Sequence, residues 1–298
     1  MMTTDNTPYK RPASVIAKRT LNKGSRYIIA LILILFAVIP ALWVVSASFN
    51  PAKSLASDTI IPKDPDFSNY VQLLADTNFP YVKWLLNSLK VALITSAATV
   101  LITTTTGYAL SRFRFTGRTG LMSAVLVINI FPSILAMVAL YSMMQQFGSF
   151  IPAFGFDSHG GLIMVYIAGQ MGINSLMVKA YIDAIPKELD EAAWVEGASY
   201  WQTFSQVILP MITPIIITVA LLSFIASYGD FIIARVLLKT SDKLTVMVGL
   251  FLFRSDRFDV DFGKITAGAV LAALPIIMLY IPLQKYVISG LTAGAVKQ

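Results

Sequence analysis

Four carboxylates, Glu188, Asp190, Glu191 and Glu196, crowd into the stretch IPKELDEAAWVEGASYWQTFSQVILP at 185–210. No nucleophile stands beside them with a base arranged to activate it, so the chemistry open to them is recognition. A projecting carboxylate can pair with a basic group on another surface. The bland alternative is a solvated interhelical loop with acids scattered through it. Other reaction chemistries find little support: there are no cysteines, hence no disulfide framework, thiolate metal site or cysteine nucleophile. A G-x-x-x-x-G-K-[ST] phosphate loop, an H-E-x-x-H pair and a nucleophile elbow are also missing, which argues against ATP hydrolysis by this chain and against a membrane-embedded hydrolase. The aromatic and methionine content suggests no cofactor box.

The local pattern predicts how these acids are held. Pro186 sits near the first position of a helix, Glu188, Asp190 and Glu191 lie near its positive N-terminal end, and Gly197 is placed to end it as a left-handed C′ residue. Ser199 and Gln202 then spell a capping box, so a second helix starts at about Tyr200 and runs toward Pro210. The chain turns at the glycine. At about 100° per residue, Leu189, Ala192, Ala193 and Glu196 share one side of the first helix, while Glu188, Glu191 and Val195 share an adjoining one. Small alanines would let another surface come close. The expectation is a short exposed docking helix.

The rest of the chain sets this element in a membrane. Hydrophobic residues make up 56% and charged residues 13%, far from the soluble norm of about 45–50% apolar and about 25% charged. A hydrocarbon core of about 30 Å needs roughly 20 apolar residues in a helix. Six stretches qualify, at 27–48, 85–110, 120–144, 161–181, 207–227 and 265–288. Val45-Ser46-Ala47 at the end of the first resembles a signal-peptide cleavage site, but its apolar run exceeds the usual 7–15 residues and more spans follow, so an uncleaved helix fits better.

Loop charge gives the expected orientation. Lys10, Arg11, Lys18, Arg19, Lys23 and Arg26 precede the first span, and Arg112, Arg114 and Arg118 lie between the second and third. Both segments should be cytoplasmic, and with six spans so should the C-terminus and the acidic element. The loop after the fifth span breaks the rule with six basic residues, which Asp230, Asp242, Asp256, Asp259 and Asp261 nearly neutralise. The net charge of +7 is then a membrane-protein asymmetry, since no basic face with interleaved aromatics suggests nucleic acid. The division expected is a cytoplasmic tail at 1–26, a membrane domain at 27–290 with the acidic loop at 182–206 and an external loop at 228–264, and a cytoplasmic tail at 291–298.

The acidic element resembles the EAA loop of bacterial ABC importer permeases, whose pattern is E-A-A, three residues, G, then nine to eleven residues to an I/V-x-L-P ending. Glu191, Ala192, Ala193, Gly197, Val207, Leu209 and Pro210 match with the spacing intact. The resemblance implies a coupling helix seated in a cleft of a separate ATP-binding subunit. Glu191 would pair with a basic group there, Ala192 and Ala193 would give close contact, and Gly197 would set the angle between the helices, with Leu209 and Pro210 closing the motif. Residues 25–297 resemble the sugar-importing branch, in particular the smaller permease subunit of maltose and maltodextrin importers. GLTAGAVK at 290–297 is similar to that subunit's tail, which reaches between the ATPase subunits, and NSLKV at 87–91 and NIFPSILAMVALY at 129–141 are similar to family segments. One departure stands at Tyr228-Gly229-Asp230-Phe231, where the family commonly has W-N-[DE]-F.

The implied partners are a second homologous permease, a dimer of ATP-binding subunits that holds the ATP and magnesium, an extracytoplasmic solute-binding protein and membrane lipid. No cofactor is expected in this chain. The apolar run LTVMVGLFLF at 244–253 is too short to span, and the resemblance reads it as a probe of the solute-binding protein, with packing on neighbouring helices as the alternative. Polar residues within spans leave two readings open. Asn129 beside Pro132, and Gln170 with Asn174, could line a substrate path or simply hydrogen-bond between helices; Lys90 could touch substrate, but snorkelling to the outer interface is favoured; His159 reads as a solvated loop residue. The expectation is an all-α, six-span bacterial inner-membrane permease for a carbohydrate, maltose- or oligosaccharide-like. Importers of other solutes such as glycerol phosphate, and ion-coupled secondary transporters, are the alternatives.

Overall fold

The computed structural model describes residues 13–51, 62, 64–130, 133–253 and 261–293. Its described residues form helices and connecting turns with no strand among them. In chain order the helices are α1 Ala13–Ser48, α2 Ser68–Ala75, α3 Tyr81–Arg112, α4 Arg118–Ile130, α5 Met137–Phe150, α6 His159–Asp183 and α7 Glu188–Val195. They continue as α8 Tyr200–Met211, α9 Thr213–Gly229, α10 Ile232–Leu237, α11 Val246–Leu252 and α12 Phe262–Ala293.

Among the described residues, four helices are long and apolar enough to cross a bilayer unbroken: Ser25–Ser48 within α1, then α3, α6, and Phe262–Val287 within α12. The other two expected spans are interrupted. The third divides into α4, of 13 residues, and α5, of 14, with a 3-10 turn at Ser133–Ala136 between them. Each piece is about 20 Å long at 1.5 Å per residue, short of the hydrocarbon thickness. Pro132, expected to break the backbone here, lies outside the described residues. The fifth span is also modified. Expected as one span over 207–227, it is a bent pair in which α8 meets α9 at 75°. Two prolines account for this. Pro210 has no N–H to give Gln206, and over Thr203–Ile208 the ladder relaxes to a π-helix, with the Leu209 N–H reaching back five residues to the Phe204 carbonyl. Pro214 then starts α9 in its first turn, where no N–H is needed, and Ile212 leaves helical geometry at φ −90° and ψ 3°.

The bundle is built on α3, which packs along α6 and α9, while α9 also packs on α12. Lipid tails are as apolar as leucine, so burial against lipid gives little drive for helices to associate, and close packing of small residues takes its place. The buried face of α3 shows this: Ser88, Ala92, Thr95, Ser96, Thr99, Thr103 and Gly107 line it. Gly107 is where the backbones meet, because a β-carbon there would stand 2.8 Å from Val178 Cγ1 of α6. Larger side chains gather at the two ends. One cluster holds Tyr81, Trp84, Tyr228 and Phe253; the other holds Tyr108, Ile182, Phe204, Ile208 and Ile212. α1 packs on α12, yet every residue of α1 from Ser25 to Leu42 is exposed.

Candidate functional site

The acidic element lies beside the second cluster and is folded by the signals its sequence carries. α7 begins at Glu188 with three acids in its first turn and ends at Glu196, its C-cap. Gly197 follows at φ +88°. The Gly197 N–H donates to the Trp194 carbonyl at 3.0 Å and the Ala198 N–H to the Ala193 carbonyl at 2.9 Å. Those two bonds are a Schellman motif, and they need a left-handed residue at 197, which glycine enters without penalty. Two residues later the capping box forms as expected: the Ser199 N–H donates to Gln202 Oε1 at 2.7 Å, and the Gln202 N–H to Ser199 Oγ at 3.3 Å. α7 and α8 therefore make an elbow with Gly197 at its apex.

The faces of α7 divide more finely than the sequence suggests. Glu188, Glu191, Ala192 and Val195 form one exposed stripe, with Val195 89% exposed. Among the described residues, neither Glu188 nor Glu191 enters an ion pair. Ala193, expected to share the outward face with Ala192, is turned into its own chain and 9% exposed. The reason is its neighbour one turn back. Asp190, expected to act only as a first-turn acid, is buried at 1% exposure and pairs with Arg112, its Oδ2 lying 2.9 Å from Arg112 Nε. At three residues' spacing Asp190 and Ala193 share a face, so burying one buries the other. A second Arg112 nitrogen, Nη2, donates to the Ile185 carbonyl at 3.1 Å. Arg112 is the residue that sequence reasoning missed at this site; it counted only as loop charge.

Aromatic side chains complete the setting. Phe113, just past α3, meets the Tyr200 ring edge-on at 5.6 Å, and Tyr108 meets Phe204 at 4.8 Å. Trp194 and Tyr200 touch across the elbow at 5.2 Å. Of the remaining motif positions, Val207 and Leu209 are half-buried and Pro210 is exposed, at the end of the π-helical segment. This arrangement offers two carboxylates and a valine on a firmly held helix, and no nucleophile or base arranged for catalysis.

The polar residues of the spans are placed apart from this element. Gln170 Nε2 donates to Ser227 Oγ at 2.9 Å, and Asn174 Nδ2 to Ser223 Oγ at 3.4 Å, so both link α6 to α9. Asn129 is exposed on α4 and donates to its own helix, at the Val125 carbonyl, 2.8 Å away. The three are not brought into one polar cluster by these bonds.

At the opposite end of the bundle the loop after α9 is tied down. The Trp84 indole donates to the Ser241 carbonyl at 2.8 Å, Asn87 Nδ2 donates to the carbonyls of Asp242 and Leu244, and Ser88 Oγ accepts from the Val246 N–H at 2.8 Å. Val246, Val248, Gly249 and Leu250 of α11 are buried, so the apolar run at 244–253 packs on neighbouring helices; residues 254–260 lie outside the described part. Asp157 accepts the N–H groups of Lys239 and Thr240, the Thr240 hydroxyl and Lys243 Nζ. Burial alone would raise its carboxyl, and these donors outweigh that and hold it well below the ordinary range. His159, expected to be solvated, is half-buried with its Nε2 2.8 Å from the Lys243 carbonyl. Lys90 is exposed. In the departed segment, the Tyr228 hydroxyl donates to the Ala272 carbonyl at 2.9 Å, and Asp230 Oδ2 accepts from Tyr166 and from the Ala234 N–H, capping α10. The similar tail at 290–297 runs past Ala293, where the described part ends.

Comparison with known proteins gives this geometry a context. Residues 103–292 match the family described as binding-protein-dependent transport system inner membrane component. The galactooligosaccharides transport system permease protein GanQ of Bacillus subtilis is 39% identical over 286 residues, covering 96% of this chain and 99% of that one. The maltose/maltodextrin transport system permease protein MalG of Vibrio vulnificus is 37% identical over 273 residues, covering 87% and 90%. Among solved structures, a chain of a bacterial ABC transporter involved in import of the acidic polysaccharide alginate superposes with a TM-score of 0.73 at 23% identity, over 94% of this chain and 99% of that one.

Proposed function

The chain belongs to the family of binding-protein-dependent transport system inner membrane components, and from that premise we propose that it is a membrane-spanning permease subunit of an ATP-binding-cassette importer for a carbohydrate. The proposed substrate is an oligosaccharide of the kind its relatives are named for, galactooligosaccharide or maltodextrin. The proposed partners are a second permease, a pair of ATP-binding subunits that bind and hydrolyse ATP with magnesium, and an extracytoplasmic solute-binding protein. Transport proceeds by alternating access, with closure of the ATP-binding subunits pulling on α7. In this reading the membrane is crossed six times, counting α4–α5 and α8–α9 as one crossing each, with both termini in the cytoplasm.

The observation that carries the reading is the exposed stripe of Glu188, Glu191, Ala192 and Val195 on a helix whose opposite face is locked to its own chain. Leu189, Trp194 and Val195, all exposed on one short helix beside two carboxylates without an ion pair among the described residues, fit a surface meant to be covered. The Gln170 and Asn174 side chains are assigned to helix packing before substrate contact, because each already has a serine partner on α9.

The test is uptake by the reconstituted complex against a panel of oligosaccharides, polyols, glycerol phosphates and peptides. Selective ATP-dependent uptake of an oligosaccharide is expected. Uptake by this chain alone, driven by an ion gradient, would overturn the reading. Glu191→Lys is expected to reduce co-purification of the ATP-binding subunit at least tenfold, because a lysine would face the partner's basic group.

A further inference from the structure

The contacts around Gly197 also bear on where a push on α7 is delivered. By chain connection alone the push would pass forward into α8 and α9, or back into α6. The side chains say otherwise. Within six residues, the inner end of α3 grips every part of the elbow. Ser111 Oγ donates to Asp183 Oδ1 at the end of α6, 2.6 Å away. Arg112 holds the Ile185 carbonyl in the turn before α7 and Asp190 within it. Tyr108 packs at a tilt on Phe204 and Phe113 meets Tyr200 edge-on, both on α8, and Trp194 closes the triangle from α7 to α8.

We infer that the α7–α8 elbow and the inner end of α3 are one rigid body, with the Arg112–Asp190 pair as its strut, so that a push on α7 enters the bundle through α3. The pair, an ion contact of 2.9 Å, resists any swing of the elbow. Its side chains are 4% and 2% exposed, and moving α7 away would leave two charges desolvated and unpaired. From α3 the displacement spreads laterally, because α3 is the helix packed along both α6 and α9, closely enough at Gly107 to leave no room for a β-carbon. Arg112 and Asp190 are thus positioning residues. This inference rests on the reading of α7 as the surface on which an ATP-binding subunit docks.

The chain has no cysteine, so a single introduced pair can be linked cleanly. Phe113→Cys with Tyr200→Cys would be joined by a short, reducible thiol-to-thiol linker in the assembled complex, and uptake compared before and after linking. A rigid unit predicts uptake within twofold of the unlinked variant. Loss of uptake on linking, recovered when the linker is reduced, would overturn the inference. Asp190→Asn is expected to lower uptake tenfold or more while the ATP-binding subunit still co-purifies and ATP hydrolysis persists; wild-type uptake by that variant would remove the strut. If Asp190→Asn fails to accumulate, the linking measurement decides alone. Failure of the underlying reading is separately visible, since the unmodified chain would then retain no ATP-binding subunit.

Discussion

Two residues before the Ser199–Gln202 capping box, Gly197 turns the chain from α7 into α8 at φ +88°. A β-carbon meets nothing within 4 Å there, so the penalty for alanine is conformational and not steric. It amounts to about 1–2 kcal/mol. Gly197→Ala is therefore expected to leave the chain inserted at normal levels and to lower uptake, by straining the turn that sets the angle between α7 and α8; normal uptake in vesicles with matched chain content would refute this. The elbow was legible in the sequence because the glycine and the Ser-x-x-Gln box are local signals, complete within six residues, and the pairing of Asp190 with Arg112 was illegible for the opposite reason. It joins residues on different helices, and a first-turn acid and a loop arginine each had a sufficient local explanation. The same pairing decided which alanine faces out: Ala192 does, and Ala193 packs inward.

Among the elements, α3 was recognised as a span but its interior role was not. Apolar windows report length, and they are blind to a buried face made of serine, threonine and glycine. That face is not fully satisfied. The hydroxyls of Thr95 and Thr99 are buried and have no hydrogen-bond partner among the described residues. An unsatisfied buried hydroxyl costs about 1–3 kcal/mol, and valine has nearly the same shape without that cost. Thr95→Val and Thr99→Val are each expected to raise stability by about 1 kcal/mol, read as a higher melting temperature of the detergent-solubilised chain. A lower melting temperature would mean that these hydroxyls hold something the fold needs. The breaks in the third and fifth stretches were only partly legible: Pro132, Pro210 and Pro214 mark them in the sequence, but a 75° bend depends on how the ladder reconnects around the proline.

At the scale of the whole molecule, composition settled that this is a multi-pass membrane protein, and loop charge gives its expected sense of insertion. The structure supplies two addresses for checking it. Thr116 lies in the exposed turn between α3 and α4, and Asp242 in the exposed turn before α11. With no native cysteine, Thr116→Cys is expected to react with a membrane-impermeant thiol reagent only from the cytoplasmic side, and Asp242→Cys only from the outside. Labelling in the reverse sense, or of both from one side, would discard the orientation. The exposed loop after α9 was legible as a loop and not as an anchor, because the side chains that fasten it, Trp84, Asn87 and Ser88, sit on a different helix.

The exposed portion of α1 has a consequence for the cell as much as for the fold. Eighteen consecutive residues, Ser25 to Leu42, stay exposed although the helix they belong to packs on α12. A rod of that kind is at ease in a bilayer, and its outer surface is open to lipid or to a companion subunit. Synthesised without the proposed second permease, the chain is expected to be cleared sooner by quality-control proteases, a shorter half-life that a pulse-chase would read.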